Sequence, residues 1–173
     1  MITERFSVCE ERGVSPMNEE YTVMIPAFPL FRGFTLDGAH MLLDRGEVRE
    51  LLPAEMLINE GDEATFVLLV LTGKLEVFVE RQGRNLVLSE AGPGTILGEL
   101  AVLCGIPRSA SVRATERSAV LQWSGVAFRS LLLQNVSLSE RIFRESLRTL
   151  IEKKRSLIES LIHSQGSIKG IHE

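Results

Sequence analysis

The chain is poor in the residues that many chemistries need. Of its 173 residues only two are cysteine, Cys9 and Cys104, and they are too far apart to form a CxxC pair. That speaks against dithiol redox chemistry and a cysteine-based metal site. The three histidines, His40, His163 and His172, form no HxH or HExxH set, so the clustered imidazoles of a metalloenzyme are missing. There is no GxSxG elbow, GxxxxGK[ST] loop or GxGxxG fingerprint. Long apolar runs are also lacking: Phe66 to Leu71 is the longest, and it is too short to cross a bilayer as a helix. The opening residues, MITERFSVCEERG, carry charges where a signal peptide would be apolar. Nor is there an excess of positive charge. Lys and Arg number 19 against 23 Asp and Glu, a net charge of -4 that argues against a general nucleic-acid or anionic-membrane surface. What remains is one soluble domain, 45% hydrophobic and 24% charged, whose unpaired thiols fit a reducing cytoplasm.

Residues 1–29 read as an N-terminal extension, with Tyr21 to Ile25 expected as a short strand before the breaks at Pro26 and Pro29. Thr35 is placed to cap a short helix whose Leu36, Ala39, Met41, Leu42 and Leu43 face inward. From Val48 the period changes to two. Leu75, Val77 and Val79 are expected on one face, with Lys74, Glu76, Phe78 and Glu80 on the other. Gln82-Gly83-Arg84 reads as a hairpin loop, with Leu86 and Leu88 on the return strand. Short strands with glycine turns at 46, 61, 73, 83 and 92 predict a mainly β fold over residues 30–134. The expected form is a double-stranded β-helix (jelly-roll) sandwich with flanking helices and a long C-terminal helix.

Ser124 caps a helix reaching about Gln134, and Ser139 is expected to cap the last one, running to about His163. That helix would be roughly 37 Å long at 1.5 Å per residue. Phe143, Leu147, Leu150, Leu157 and Leu161 form a seam with Lys154 in its gap, and Ile142, Ile151, Ile158 and Ile162 lie beside it. So wide an apolar surface predicts a homodimer through residues 139–163 within a helical segment 135–163. Residues 164–173 are expected to form a frayed tail.

Pro93 to Ala114, PGTILGELAVLCGIPRSASVRA, concentrates the chemistry. Glycine turns free backbone N–H groups, Arg108 adds a guanidinium and Glu99 a carboxylate. Donors with an arginine suit a phosphate, and a carboxylate suits a sugar hydroxyl. The same residues also describe a satisfied turn in which Glu99 and Arg108 pair, and local chemistry leaves both readings open. Asp44, Glu47, Glu50 and Glu55 read as a solvated face, and Asp62 as a turn residue. No acid–base constellation emerges, and a non-enzyme is expected.

Gly98-Glu99-Leu100-Ala101, followed by Pro107-Arg108-Ser109-Ala110-Ser111-Val112, resembles the phosphate-binding cassette of the cyclic nucleotide-binding domain family. That family includes catabolite activator proteins, protein kinase A regulatory subunits and nucleotide-gated channels. The Glu60-Gly61-Asp62 turn and Gly73 match as well. The resemblance implies that Arg108 pairs with the cyclic phosphate and Glu99 accepts the ribose 2′-hydroxyl. Backbone N–H groups of Gly98, Glu99, Leu100 and Ala110, together with the Ser109 hydroxyl, would complete a cradle that includes Ala101. Leu88, Leu97 and Val112 are apolar candidates for the sugar or base, or for the core. The activator branch gives an arginine and a hydroxyl residue to the purine from its long helix, where this chain offers Thr149, Lys153 and Lys154. The ligand implied is cAMP rather than cGMP, with no cofactor or metal. The function implied is a sensor that signals through its C-terminal helix to an effector protein that is unknown. The alternative is an interaction module with a degenerate pocket. The few residues after His163 leave no room for the activators' helix-turn-helix, so a free-standing sensor without a DNA-binding domain is expected.

Overall fold

The computed structural model describes residues 16–166. The described chain divides between Gln134 and Asn135 into two compact units.

In the first unit, eight strands make two four-stranded antiparallel sheets. They are β1 (Glu47–Leu51), β2 (Met56–Ile58), β3 (Phe66–Thr72), β4 (Leu75–Arg81), β5 (Arg84–Ala91), β6 (Ile96–Leu97), β7 (Ser111–Ala114) and β8 (Ser118–Ser124). The orders β1-β8-β3-β6 and β2-β7-β4-β5 interleave the two ends of the domain, as the expected jelly roll requires. Between the sheets lies a core to which both contribute. Leu51, Leu68, Val70 and Val120 come from the first sheet, and Ile58, Leu75, Val77, Ala91, Val112 and Ala114 from the second. Alternation along each strand sends these residues to the shared interior.

The first sheet also buries its outer face, which is why β3 reads as an unbroken apolar run. Val67, Leu69 and Leu71 are as buried as Leu68 and Val70. Helices pack on this sheet: α2 (Leu36–Asp44) against β1 and α4 (Gly125–Gln134) against β3 and β8, with α1 (Pro16–Met24) lying on α2. Trp123 on β8 lies beside the Phe128 ring, centroids 6.0 Å apart, and its indole N–H donates to the Leu42 carbonyl at 2.8 Å. The Thr35 hydroxyl accepts from the Gly38 N–H at 3.1 Å and the Ser124 hydroxyl from the Ala127 N–H at 3.1 Å, so both are helix caps as expected.

Three expectations need correction. Tyr21 to Ile25 is not a strand: Pro16–Met24 is helical and Ile25–Ala27 a 3-10 turn, because packing against α2 decides a segment of mixed propensity. Leu36 is 56% exposed on the first turn of α2, while Ala39, Leu42 and Leu43 supply its buried side. The expected alternation of β4 holds: Glu76 and Phe78 share a face, where Arg113 pairs with the first and covers the ring of the second, and the register shift falls on β5, whose Leu88 is the extra residue. The expected β4–β5 hairpin is there, but Arg84 belongs to β5, so its loop is two residues and not three: Gln82 and Gly83, with φ of 55° and 72°, the left-handed pair of a tight turn.

In the second unit, α5 (Val136–Gly166) starts before Ser139. Asn135 is its cap, accepting from the Leu138 N–H at 2.9 Å. Three i,i+4 pairs, Glu140–Arg144, Arg148–Glu152 and Arg155–Glu159, support the helix. Phe143, Leu147, Leu150 and Leu157 of the expected seam are exposed, as are Ile151, Ile158 and Ile162. Of the expected tail, residues 164–166 continue the helix, and 167–173 lie outside the described residues.

Candidate functional site

The stretch from Pro93 to Ala114 carries the chain from one sheet to the other. β6 pairs with β3, placing Leu97 opposite Leu68, and β7 pairs with both β2 and β4. Between them the apolar run expected as part of a loop is a short helix, α3 (Glu99–Cys104). Gly98 starts it from the left-handed region, φ 81°, and a β-carbon there would meet the Arg108 Nη1 at 2.3 Å. Only glycine lets the backbone approach the guanidinium so closely. At the start of α3, the Leu100 and Ala101 N–H groups have no carbonyl one turn back to bond.

Arg108 is the central residue. Its backbone is tied to the Glu60-Gly61-Asp62 turn: the Arg108 N–H donates to the Asp62 carbonyl and the Gly61 N–H to the Arg108 carbonyl, both at 2.9 Å. Next to it the Glu60 N–H donates to the Ser111 hydroxyl at 2.9 Å. The side chain turns inward and the residue is 4% exposed. Nη1 donates to the Gly98 carbonyl at 3.1 Å and Nη2 to the Phe66 carbonyl at 2.6 Å. The guanidinium lies over the Phe66 ring, 4.6 Å from its centroid. Both hydrogen bonds go to neutral oxygens. Burial pulls the Arg108 pKa below its ordinary value, and the Asp62 and Glu99 carboxylates act against that through their charge. An arginine so placed keeps its proton. The result is a buried cation solvated by two main-chain dipoles, and a monoanion is the natural complement to that charge.

Gly98, Glu99, Leu100, Ala101, Arg108, Ser109 and Ala110 thus fall on one continuous bridge between the sheets. Glu99 and Leu100 are half-buried, Ala101 is buried and Ser109 is exposed. Leu88 is 51% exposed on β5, so core packing is not its role. Val112 belongs to the core, and Leu97 packs partly against it. Thr149, Lys153 and Lys154 lie on α5, in the second unit, and the cradle is described without them. Thr149 and Lys153 share a helix face, being four residues apart. Sequence reasoning missed Phe66 as a partner of Arg108. The two are far apart in the chain, and a leading aromatic residue in an apolar strand carries no local signal of such a contact. Among the described residues no group of His, Cys, Asp and Glu is gathered to hold a metal ion, and no helix is long and apolar enough to cross a membrane.

A model of the cyclic nucleotide-binding domain family matches residues 48–135. The chain is 30% identical over 119 residues to the cAMP-dependent protein kinase regulatory subunit of Blastocladiella emersonii, covering 68% of this chain and 30% of that one. It is 26% identical over 129 residues to the potassium channel AKT1 of Oryza sativa, covering 75% of this chain and 14% of the channel. It therefore spans less than a third of either relative. Among solved structures, the catabolite activator protein of Thermus thermophilus superposes with a TM-score of 0.67 at 25% identity, over 75% of this chain and 61% of that one. The regulatory domain of Toxoplasma gondii protein kinase A with cAMP shares the fold, with a TM-score of 0.58 at 22% identity over 68% and 45%.

Proposed function

Because this chain belongs to the cyclic nucleotide-binding domain family, we propose that it is a non-catalytic cytoplasmic sensor that binds cAMP in preference to cGMP and signals through its C-terminal helix to a protein partner. The observation carrying this reading is the buried Arg108 guanidinium, bonded among the described residues only to the Gly98 and Phe66 carbonyls. A cyclic phosphate would supply the missing negative charge through charge-assisted hydrogen bonds. Leu100 and Ala101 would add main-chain donors, the Ser109 hydroxyl would reach the phosphate, and the Glu99 carboxylate would accept the ribose 2′-hydroxyl. Preference for cAMP follows the cAMP-dependent regulatory subunit to which the chain is similar. Residues 30–134 form the sensing domain in this proposal, and Leu88, Thr149, Lys153 and Lys154 are its candidates for sugar and base contact.

Calorimetric titration tests it. The wild-type protein is expected to bind cAMP more tightly than cGMP, and Glu99→Gln to weaken cAMP binding about ten- to a hundredfold, the usual worth of a hydrogen bond to a charged group. The variant should also lose its discrimination between cAMP and 2′-deoxy-cAMP. No binding of either nucleotide at high micromolar concentration would sink the proposal and favour an interaction module with a degenerate pocket.

The apolar seam of α5 supports a homodimer formed through residues 139–163. Phe143, Leu147, Leu150 and Leu157 are all exposed, a larger apolar stripe than a solvated helix carries. Sedimentation equilibrium is expected to give a dimer, and the double variant Leu147→Glu, Leu150→Glu a monomer. A monomeric wild type at high micromolar concentration rules the dimer out.

A further inference from the structure

We propose that Phe66 positions Arg108: its ring is a shelf that holds the guanidinium buried and, among the described residues, out of any carboxylate salt bridge, so that the cation is kept for the ligand's phosphate. The proposal rests on the cyclic nucleotide reading above and assigns it a further affinity-determining residue.

The molecule contains its own comparison. Arg113 lies over the Phe78 ring at 4.6 Å from the centroid, the same distance that separates Arg108 from Phe66. Arg113 also takes the Glu76 carboxylate at 2.5 Å and so has its counter-charge. Arg108 makes the same stack, is more deeply buried, and takes two carbonyl oxygens instead. Carboxylates are near enough to be felt, since Asp62 and Glu99 both act on Arg108 through their charge. A flexible arginine with carboxylates in its field ordinarily swings to one of them. Here the aromatic face beneath the guanidinium and the Phe66 carbonyl at its edge fix a different geometry. The ring attracts the cation while offering no hydrogen-bond acceptor, so the remaining donors of the fork are not consumed.

Phe66 is suited to the task by its place in the fold. It is the first residue of β3, paired with Ser124 of β8 and packed against the sandwich core. Its ring is therefore held by the sheet rather than by the bridge that carries Arg108. A rigid shelf under a mobile donor lowers the ordering cost of binding.

The test compares wild type, Phe66→Leu and Phe66→Tyr. Phe66→Leu keeps an apolar side chain on the strand but removes the π-face, and cAMP affinity is expected to fall about three- to thirtyfold, the range of a desolvated cation–π contact. Phe66→Tyr restores the face and is expected to bind within about twofold of wild type. A readout that packing alone would not move is the Arg108 Nε–H resonance in the ligand-free protein. It should be ring-shifted in wild type and Phe66→Tyr, and return to its ordinary position in Phe66→Leu. Unchanged affinity in Phe66→Leu, or failure of Phe66→Tyr to restore it, overturns the proposal while the cyclic nucleotide reading stands. Absence of cAMP binding by wild type overturns the reading and the proposal with it.

Discussion

Arg108→Ala is expected to weaken cyclic nucleotide binding by at least about a hundredfold, since one partner of a buried charge pair is removed. Stability should change little by comparison. The Arg108 main chain keeps its bonds to Gly61 and Asp62, and the Gly98 carbonyl still accepts from the Val102 N–H. The Phe66 carbonyl is left without its arginine, a loss of about 1–2 kcal/mol. The substitution also relieves the protein of a buried cation, which partly offsets that loss. Calorimetry and thermal melting read the two effects separately. Binding within tenfold of wild type would show that the guanidinium does not hold the phosphate. Arg108→Lys should fall between the two, because it keeps the charge and loses the planar fork.

Gly98→Ala should be as damaging to binding, by a route that replaces no ligand-contacting side chain. The added β-carbon meets the Arg108 Nη1 at 2.3 Å. The group in the way is the end of a flexible side chain, so the guanidinium yields and the backbone stays. Left-handed backbone at alanine costs about 1–2 kcal/mol. Gly83→Ala supplies the control, for that glycine is also left-handed, φ 72°, with nothing within 4 Å of an added β-carbon. The two variants are expected to lose similar stability, while only Gly98→Ala loses the ligand, by about a hundredfold. Full cAMP binding by Gly98→Ala would mean that the Gly98–Arg108 approach is not part of the bound state.

The fold was legible wherever a local rule and the global environment agreed. The unbroken β3 run, the Gln82-Gly83 hairpin and the Thr35 and Ser124 caps each follow from chemistry within a few residues. Tyr21 to Ile25 failed because the deciding contacts are with α2. The extra residue that shifts β5 against β4 has no sequence marker. In the candidate site, Glu99 and Arg108 stood out by type and spacing, whereas the helical form of the run after Gly98 did not. Six residues are too few to establish a helical period. The Glu60-Gly61-Asp62 turn was recognisable as a turn, but its bonds to the Arg108 backbone were not. Phe66 was the least accessible of all, because its partner is a residue of another segment and only closure of the sandwich brings them together.

The strand order of the first sheet sets the timing of assembly. Among the described residues β1 has β8 as its sole strand neighbour, so residues 47–51 must wait until the chain has reached residues 118–122. With a sequence separation of roughly seventy residues, this closure has high contact order and belongs to the slow class of folding events. During synthesis β1 emerges long before it has a partner, and its apolar Leu51, later buried, is left without its neighbours in the meantime. The ligand-holding bridge lies inside the loop that this pairing closes. A nascent chain therefore has every residue of its cradle before it has a cradle, and competence to bind should arrive in one late step.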